Sequence, residues 1–260
     1  MMSREQLKNI SKGTSLHLYQ QEKDYLIKLF LFNYFRRYDN AVFKGGTCLR
    51  YLFGTDRFSE DIDLNLRTSP NTFRKEVQKV LDEFERLGIE SGFINEEVFE
   101  DAYTSEIWFY GPLYDGSNQT QNKFRLDAGR RGGILKEPRW RLIASEYPET
   151  KDKFLVQVMD EDELFVEKII TMLTRSKGRD LYDVWYFLMN EMVPDPDLFE
   201  RKLTTLKEEG VLKEEFKWDS YPSEKEYQRD LKRLVSVLVP YSQVIEEVKD
   251  EVEDLRKEIS

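Results

Sequence analysis

A glycine pair between two short apolar segments limits the possible folds of this chain more than any other feature. An apolar run at 41–43 leads into Gly45 and Gly46, and the apolar residues of 49–53 then follow with a spacing that suggests a helix. Apolar and polar residues alternate over 61–66, as in a strand with one buried face. The sequence therefore predicts a strand, a tight turn, a helix and a second strand in succession.

Two aspartates occupy the polar face of that second strand. Asp61 and Asp63 are separated by one residue, so their carboxylates project from the same side. Neighbouring like charges repel each other, which favours an offsetting cation between them. The alternative is the solvated polar face of an edge strand. The nearby glycine turn makes a site for in-line group transfer the stronger hypothesis.

The composition restricts which metal such a site could take. Cys48 and His17 are the single cysteine and the single histidine of the chain, which excludes a disulfide framework and a thiolate or histidine zinc site. Carboxylate oxygens remain as ligands. They suit hard ions such as Mg²⁺ or Mn²⁺, which are recruited by one or two carboxylates together with substrate phosphates.

The glycine turn has the chemistry of a phosphate-binding loop. Gly45 and Gly46 would let backbone N–H groups approach phosphate oxygens, the start of the helix adds a favourable dipole, and the Thr47 hydroxyl can donate a further hydrogen bond. A glycine pair by itself is more simply a tight turn. Only its combination with the two aspartates favours a nucleoside triphosphate as the ligand.

The remaining pattern predicts an α+β protein: a mixed sheet flanked by helices, followed by a helical C-terminal region. We place the core at 1–159 and the helical region at 160–260. Further predicted helices lie at 19–38, 70–86, 161–174, 179–190, 197–209, 223–237 and 241–259, and further strands at 103–110, 122–128 and 154–158.

The charge of the chain is acidic overall but locally reversed. The formal net charge is −10, whereas residues 121–141 contain seven basic and two acidic residues. This segment could bind a polyanion, with Arg130, Arg131 and Lys136 as candidate RNA contacts. Scattered solvated charges on a strand and loop are the alternative interpretation.

Two groups of residues resemble the motifs of a known family. The first is Gly45-Gly46-Thr47 followed by Arg57-x-Ser59-x-Asp61-x-Asp63, and the second is Glu167-Lys168 followed by Arg179-Asp180-x-x-Asp183. In this order they resemble the AbiEii/AbiGii toxin family, which includes the MenT-like toxins. These nucleotidyltransferases belong to the DNA polymerase β-like superfamily, and the matching segments cover 43–64 and 167–183.

The resemblance implies roles for individual residues. Asp61 and Asp63 would hold the metal, and the nucleotide would contact the glycine turn, Arg57 and Ser59. Lys168 and Asp183 would be catalytic, with Lys168 and Asp180 also binding the nucleotide in the same cleft as the core. Surface or structural ion pairs are the alternative for these three residues.

A third carboxylate is common in the superfamily, on a strand next to the aspartate pair. Asp127 is the best candidate, because Phe124 and Leu126 alternate with Arg125 and Asp127 and leave Asp127 on the polar side. It would serve as a metal ligand or as the base for the incoming hydroxyl.

The resemblance implies transfer of a nucleoside monophosphate to a hydroxyl, with release of pyrophosphate, by the toxin of a toxin–antitoxin pair. In characterised relatives the acceptor is a tRNA 3′ end, and a cognate antitoxin is a possible partner. Two alternatives stay open: modification of a protein or small molecule, and a nucleotide-binding regulator without turnover. The chain lacks an apolar run of about 20 residues and a secretion-signal pattern, so we expect no membrane association and a cytoplasmic protein.

Overall fold

The computed structural model describes residues 1–259, which form two compact units. The first unit consists of Met1–Leu52, Glu60–Arg130 and Arg139–Val158. The second consists of Phe53–Ser59, Arg131–Pro138 and the chain from Met159 onward.

The first unit is built on a mixed sheet. Its helices are α1 (Arg4–Ser11), α2 (Leu18–Phe35), α3 (Gly45–Phe53, whose last residue lies in the second unit) and α4 (Pro70–Arg86). Its strands are β1 (Ala41–Lys44), β2 (Ile62–Leu66), β3 (Ser91–Val98), β4 (Ala102–Phe109), β5 (Asn122–Gly129), β6 (Arg139–Ala144) and β7 (Lys153–Val158), with a 3₁₀ turn at Pro148–Thr150. Across the described residues the strand order is β3-β4-β5-β2-β1-β7-β6.

The sheet pairs its strands in both directions. β2 runs parallel to β5, and β1 runs parallel to β7, whereas the other neighbouring pairs are antiparallel. Helix α2 packs against β5 and β7, and α4 packs against β3 and β4. The inward residues of β2 and β5 are buried beneath these helices, so their alternate residues are left for the polar face.

Local signals explain why α4 begins and ends where the sequence predicts. The Ser69 side chain accepts a hydrogen bond from the backbone N–H of Thr72, and Pro70 occupies the first turn, where its missing N–H costs nothing. Just beyond the helix, Gly88 takes a left-handed conformation with φ of 76°. The helix thereby fixes the entry to strand β3.

The second unit is helical. It contains α5 (Glu161–Arg175), α6 (Gly178–Met189), α7 (Pro196–Glu208), α8 (Glu224–Leu231) and α9 (Tyr241–Ile259). Helix α6 packs against α5, α8 and α9, and α7 packs against α5 and α9. A mixed sheet with helices and a helical C-terminal part confirms the α+β prediction. Within residues 1–259, no helix is long and apolar enough to cross a membrane.

Three elements were not predicted from the sequence. Two helices are shorter than predicted, one of which is the helix predicted at 19–38, which ends at Phe35. Helix α1 and strands β3 and β6 are present although no pattern indicated them. The helix predicted at 223–237 ends at Leu231. β-branched Val235 and Val237 have low helix propensity, and Pro240 disfavours helix at the residue before it, so the segment that contains them is irregular.

Candidate active site

The glycine turn and the acidic strand fit against each other. Gly45 begins α3 with φ of 76°, a conformation that other residues adopt with difficulty. A β-carbon at Gly45 would overlap the carboxylate of Asp63. The glycine is therefore needed twice: it permits the turn and makes room for Asp63.

Thr47 links the same turn to the start of the acidic strand. Its side chain is fully buried, and its hydroxyl donates a hydrogen bond of 2.5 Å to the backbone carbonyl of Asp61. The hydroxyl that the sequence offers as a phosphate donor is thus used to hold Asp61 beside the first turn of α3. Gly46 is also buried in this turn.

Asp127 lies beside Asp63 on the neighbouring parallel strand. The two residues are partners in the register of β2 and β5. The Asp127 carboxylate accepts a hydrogen bond of 2.6 Å from the Thr104 hydroxyl and forms an ion pair with Arg125 at 2.7 Å. Asp127, and after it Asp61 and Asp63, raise the pKa of Arg125. The charges of three carboxylates therefore act on one guanidinium group.

These carboxylates fit a magnesium ion that is bound largely through its substrate. Within residues 1–259, no three acidic, histidine or cysteine side chains come together as a ready-made metal site. Mg²⁺ commonly uses one or two carboxylates and takes its other ligands from water and substrate phosphates. Asp61 and Asp63 would supply such a partial set of hard oxygen ligands.

A buried network supports the helix that follows the glycine turn, and sequence reasoning missed it. Asp24 of α2 is fully buried and accepts hydrogen bonds from Arg50, from Tyr51 at 2.9 Å and from Tyr147 at 2.7 Å. Burial acts to raise the pKa of Asp24, but the charges of Arg50 and Lys28 and these hydrogen bonds hold it below its ordinary value. The ionised carboxylate thus anchors α3 to α2.

Asp183 organises a second charged cluster, within the second unit. The buried carboxylate accepts two hydrogen bonds from Arg57, at 2.8 and 2.9 Å, and one from Lys168, at 2.7 Å. Burial acts to raise the pKa of Asp183, but the charges of Arg57 and Lys168 hold it below its ordinary value. Ser59 is half-buried in the same unit, two residues after Arg57.

Asp180 extends this cluster. It accepts two hydrogen bonds of 3.1 Å from Arg175 and lies 3.7 Å from the Lys168 ammonium group. The cluster of Arg57, Lys168, Arg175, Asp180 and Asp183 therefore has three positive and two negative formal charges.

The three basic residues predicted to contact RNA differ in their surroundings. Arg130 and Arg131 are exposed. Arg130 ends one segment of the first unit, and Arg131 begins a segment of the second. Lys136 forms ion pairs with Asp160 at 2.7 Å and Asp162 at 2.5 Å. Two carboxylates therefore offset the charge of Lys136, a pairing that the sequence did not reveal.

Solved structures share this fold. MenT4, a nucleotidyltransferase toxin from Mycobacterium tuberculosis H37Rv, is similar with a TM-score of 0.69 and 19% identity, covering 98% of this chain and 90% of its own. JHP933 from Helicobacter pylori has a TM-score of 0.60 and 16% identity, covering 94% of this chain and 95% of its own. A search of curated proteins returned no match.

The fold, with its glycine turn beside an acidic strand, is that of a nucleotidyltransferase. A family profile described as "Nucleotidyl transferase AbiEii toxin, Type IV TA system" matches residues 30–252. The chain therefore belongs to the AbiEii family of nucleotidyltransferase toxins from type IV toxin–antitoxin systems. This confirms the resemblance and the enzyme class predicted from the sequence, and it indicates an antitoxin as partner and a nucleotide as substrate.

Proposed function

We propose that this toxin transfers a nucleoside monophosphate from a nucleoside triphosphate to a hydroxyl at the 3′ end of tRNA, in the cytoplasm, and releases pyrophosphate. The observation that supports this most directly is the pairing of Asp63 with Asp127 on neighbouring strands, with Asp63 against the glycine turn. Carboxylates next to a turn whose backbone can bind phosphate are suited to the transfer of a phosphoryl group to a hydroxyl.

In the proposed reaction the acceptor hydroxyl oxygen forms a bond with the α-phosphorus. The bond from the α-phosphorus to the oxygen that bridges it to the β-phosphorus breaks, and pyrophosphate leaves with that electron pair. The hydroxyl proton passes to Asp127, whose carboxylate is oriented by Thr104 and Arg125. Most of the catalysis then consists of positioning and of stabilising charge.

Asp61 and Asp63 would hold Mg²⁺ or Mn²⁺ in this proposal. The ion would neutralise charge on the triphosphate and polarise its oxygens. The Thr47 hydroxyl fixes the backbone of Asp61, and Gly45 leaves space for the Asp63 side chain. The turn thus holds both carboxylates in place. Because Gly46 has no side chain, a phosphate group could approach its backbone N–H closely.

Lys168 is proposed to bind phosphate oxygens of the nucleotide, with Asp183, itself held by Arg57, keeping its ammonium group in place. Its Nζ lies 2.7 Å from Asp183, and its side chain is only 9% exposed. A lysine held in this way is oriented before its ligand arrives. Ser59 and Asp180 are proposed to contribute to nucleotide binding from the same unit.

Replacing Lys168 by alanine is expected to weaken nucleotide binding by roughly ten- to a hundredfold, because a charge-assisted hydrogen bond contributes about 1.5–3 kcal/mol. Isothermal titration with a non-hydrolysable triphosphate measures this effect. Lys168→Arg should recover part of the affinity, because it retains the charge. Equal affinity in the wild type and in a folded Lys168→Ala variant would show that Lys168 does not bind the nucleotide.

An RNA acceptor is proposed from the family and from the exposed arginines at 130 and 131. Replacing both by glutamine should raise the apparent KM for tRNA and leave nucleotide affinity unchanged. Each lost phosphate contact should also flatten the dependence of log binding constant on log salt by roughly 0.7–0.9. Lys75 and Lys79 on α4 are exposed, and their double replacement is the matched control. Equal effects of the two double variants would contradict this assignment.

One assay tests the proposed function as a whole. The protein is incubated with each α-labelled nucleoside triphosphate, magnesium and total tRNA, and the products are separated. Labelled tRNA is the expected result. A labelled protein or small molecule without labelled RNA would overturn the acceptor, and the absence of any labelled product with all four nucleotides would indicate a nucleotide-binding regulator.

A further inference from the structure

The outer face of β4 and β5 forms an ordered strip that starts at Asp127. Residues that point inward from both strands are buried, and the alternate residues are half-buried or exposed. The outward residues pair across the two strands as Thr104 with Asp127, Glu106 with Arg125, and Trp108 with Lys123. Four residues of a strand span roughly 13 Å, so the strip leads from Asp127 to an aromatic residue at about that distance.

A polar cleft lies on this strip next to Asp127. It has a volume of about 350 Å³ and is lined by Asn95, Glu97, Thr104, Ser105, Glu106 and Arg125. Two of these residues, Thr104 and Arg125, contact the Asp127 carboxylate. The two glutamates disfavour a triphosphate in the cleft by like-charge repulsion. They are well suited to accept hydrogen bonds from ribose hydroxyls or from a base with an exocyclic amine.

Aromatic rings occupy the far end of the strip. Trp108 lies over Gly92, where an added β-carbon would come within 2.8 Å of the indole nitrogen. The ring centroid of Tyr110 is 4.7 Å from that of Trp108, and Tyr114 stacks on Tyr110 at 3.7 Å. All three rings are half-buried rather than part of the core. Such aromatic groups are platforms on which nucleobases stack.

Two cations lie along β5 in this strip, Lys123 opposite Trp108 and Arg125 between Lys123 and Asp127. Lys123 forms an ion pair with Glu106 at 2.9 Å and is 49% exposed, and Arg125 is 56% exposed. Exposed ion pairs contribute little to stability, so Lys123 can exchange its carboxylate for a phosphate at small cost, while Arg125 keeps Asp127 in place. The strip thus combines base stacking, phosphate contacts and acceptors for base amines.

We propose that this strip, Thr104–Trp108 together with Lys123–Asp127, binds the single-stranded 3′ end of an RNA acceptor. The terminal hydroxyl lies at Asp127, bases that carry exocyclic amines occupy the cleft at Glu97 and Glu106, and a preceding base stacks on Trp108. The direction in which the RNA lies along the strip rests on the proposed function, because that function places the reacting 3′ hydroxyl at Asp127. The strip predicts a preference for adenine and cytosine over uracil, which has no exocyclic amine.

The test measures binding without catalysis. Short single-stranded RNAs made only of adenine and cytosine, or only of uracil, are labelled at the 5′ end and titrated with the whole protein by fluorescence anisotropy, without nucleotide or magnesium. We expect tighter binding of the adenine–cytosine strand, and about tenfold or greater loss for Trp108→Leu. Trp140→Leu is the matched control, because Trp140 is 45% exposed on β6, at the opposite edge of the sheet. It should bind as the wild type.

A second variant tests recognition of the base. Glu106→Gln removes one carboxylate from the cleft and should reduce the preference for adenine–cytosine RNA, with the fold checked by circular dichroism. Unchanged binding in a folded Trp108→Leu, or equal loss in Trp140→Leu, would overturn the proposal.

The two proposals can fail separately. Transfer to tRNA that proceeds unchanged in Trp108→Leu would contradict the strip and leave the proposed function intact. Loss of RNA binding in Trp108→Leu, combined with a wild type that labels no RNA, would support the strip as an RNA surface and contradict the proposed function.

Discussion

Replacement of Asp63 by asparagine is expected to abolish nucleotide transfer and to leave the fold intact. The variant loses a ligand for the divalent ion, and the loss should be on the order of a thousandfold or more, about 4 kcal/mol of transition-state stabilisation. Removing one of three neighbouring negative charges also relieves repulsion, so the free energy of unfolding should stay the same or rise slightly. Asp61→Asn should behave in the same way.

The measurement is the rate of labelled-tRNA formation at saturating magnesium, together with a urea unfolding curve for each protein. Asp82→Asn is a matched control, because Asp82 is exposed on α4 and accepts a side-chain hydrogen bond from Gln78 that an asparagine can also accept. It should retain full activity. Near-wild-type turnover in Asp61→Asn or Asp63→Asn would show that the metal assignment is wrong.

Replacement of Asp183 by asparagine is expected to be strongly destabilising, by roughly 3–5 kcal/mol. The change leaves Arg57 and Lys168 buried without the carboxylate that contacts both of them. Urea unfolding measures the loss. Asp180→Asn is the comparison, because its partner Arg175 is 51% exposed and can be solvated by water. An equal or smaller loss in Asp183→Asn than in Asp180→Asn would contradict a central structural role for Asp183.

The same carboxylate predicts a dependence of stability on pH. Because the folded state holds the pKa of Asp183 below its ordinary value, the ionised group stabilises the fold above about pH 3.9, the usual pKa of aspartate. This contribution is lost as the pH falls through the lower, folded-state pKa. The wild type should therefore lose more stability than Asp183→Asn on acidification below about pH 4, as measured by thermal unfolding across that range.

The elements predicted correctly are those specified by nearby residues. The capped start of α4 and the alternation of β2 are local patterns, and both elements appear within a residue of the predicted bounds. Strand β3 escaped prediction because a register shift between Ile94 and Glu97 interrupts its alternation. Strand β6 is an edge strand with most of its side chains exposed, so it has little apolar pattern to read.

For the candidate site, the sequence indicates which residue types could take part, whereas the contacts between them are visible only in the structure. The sequence places Asp61 and Asp63 on one face because they are two residues apart in a strand. Contacts between residues far apart in the chain depend on packing that no local pattern encodes. Arg57 reaches Asp183 across 126 positions, and Lys136 pairs with carboxylates at the start of α5. The support of α3 by Asp24 is of the same kind.

The missing side chain of Gly45 has a consequence for how this enzyme could diversify. Because Asp63 occupies the space that a β-carbon at position 45 would need, position 45 cannot gain a side chain while Asp63 keeps its place. A larger residue at 45 would displace the carboxylate, and a shorter residue at 63 would remove it. A toxin could therefore lose its activity through a substitution in the turn alone, while every charged group of the protein remains.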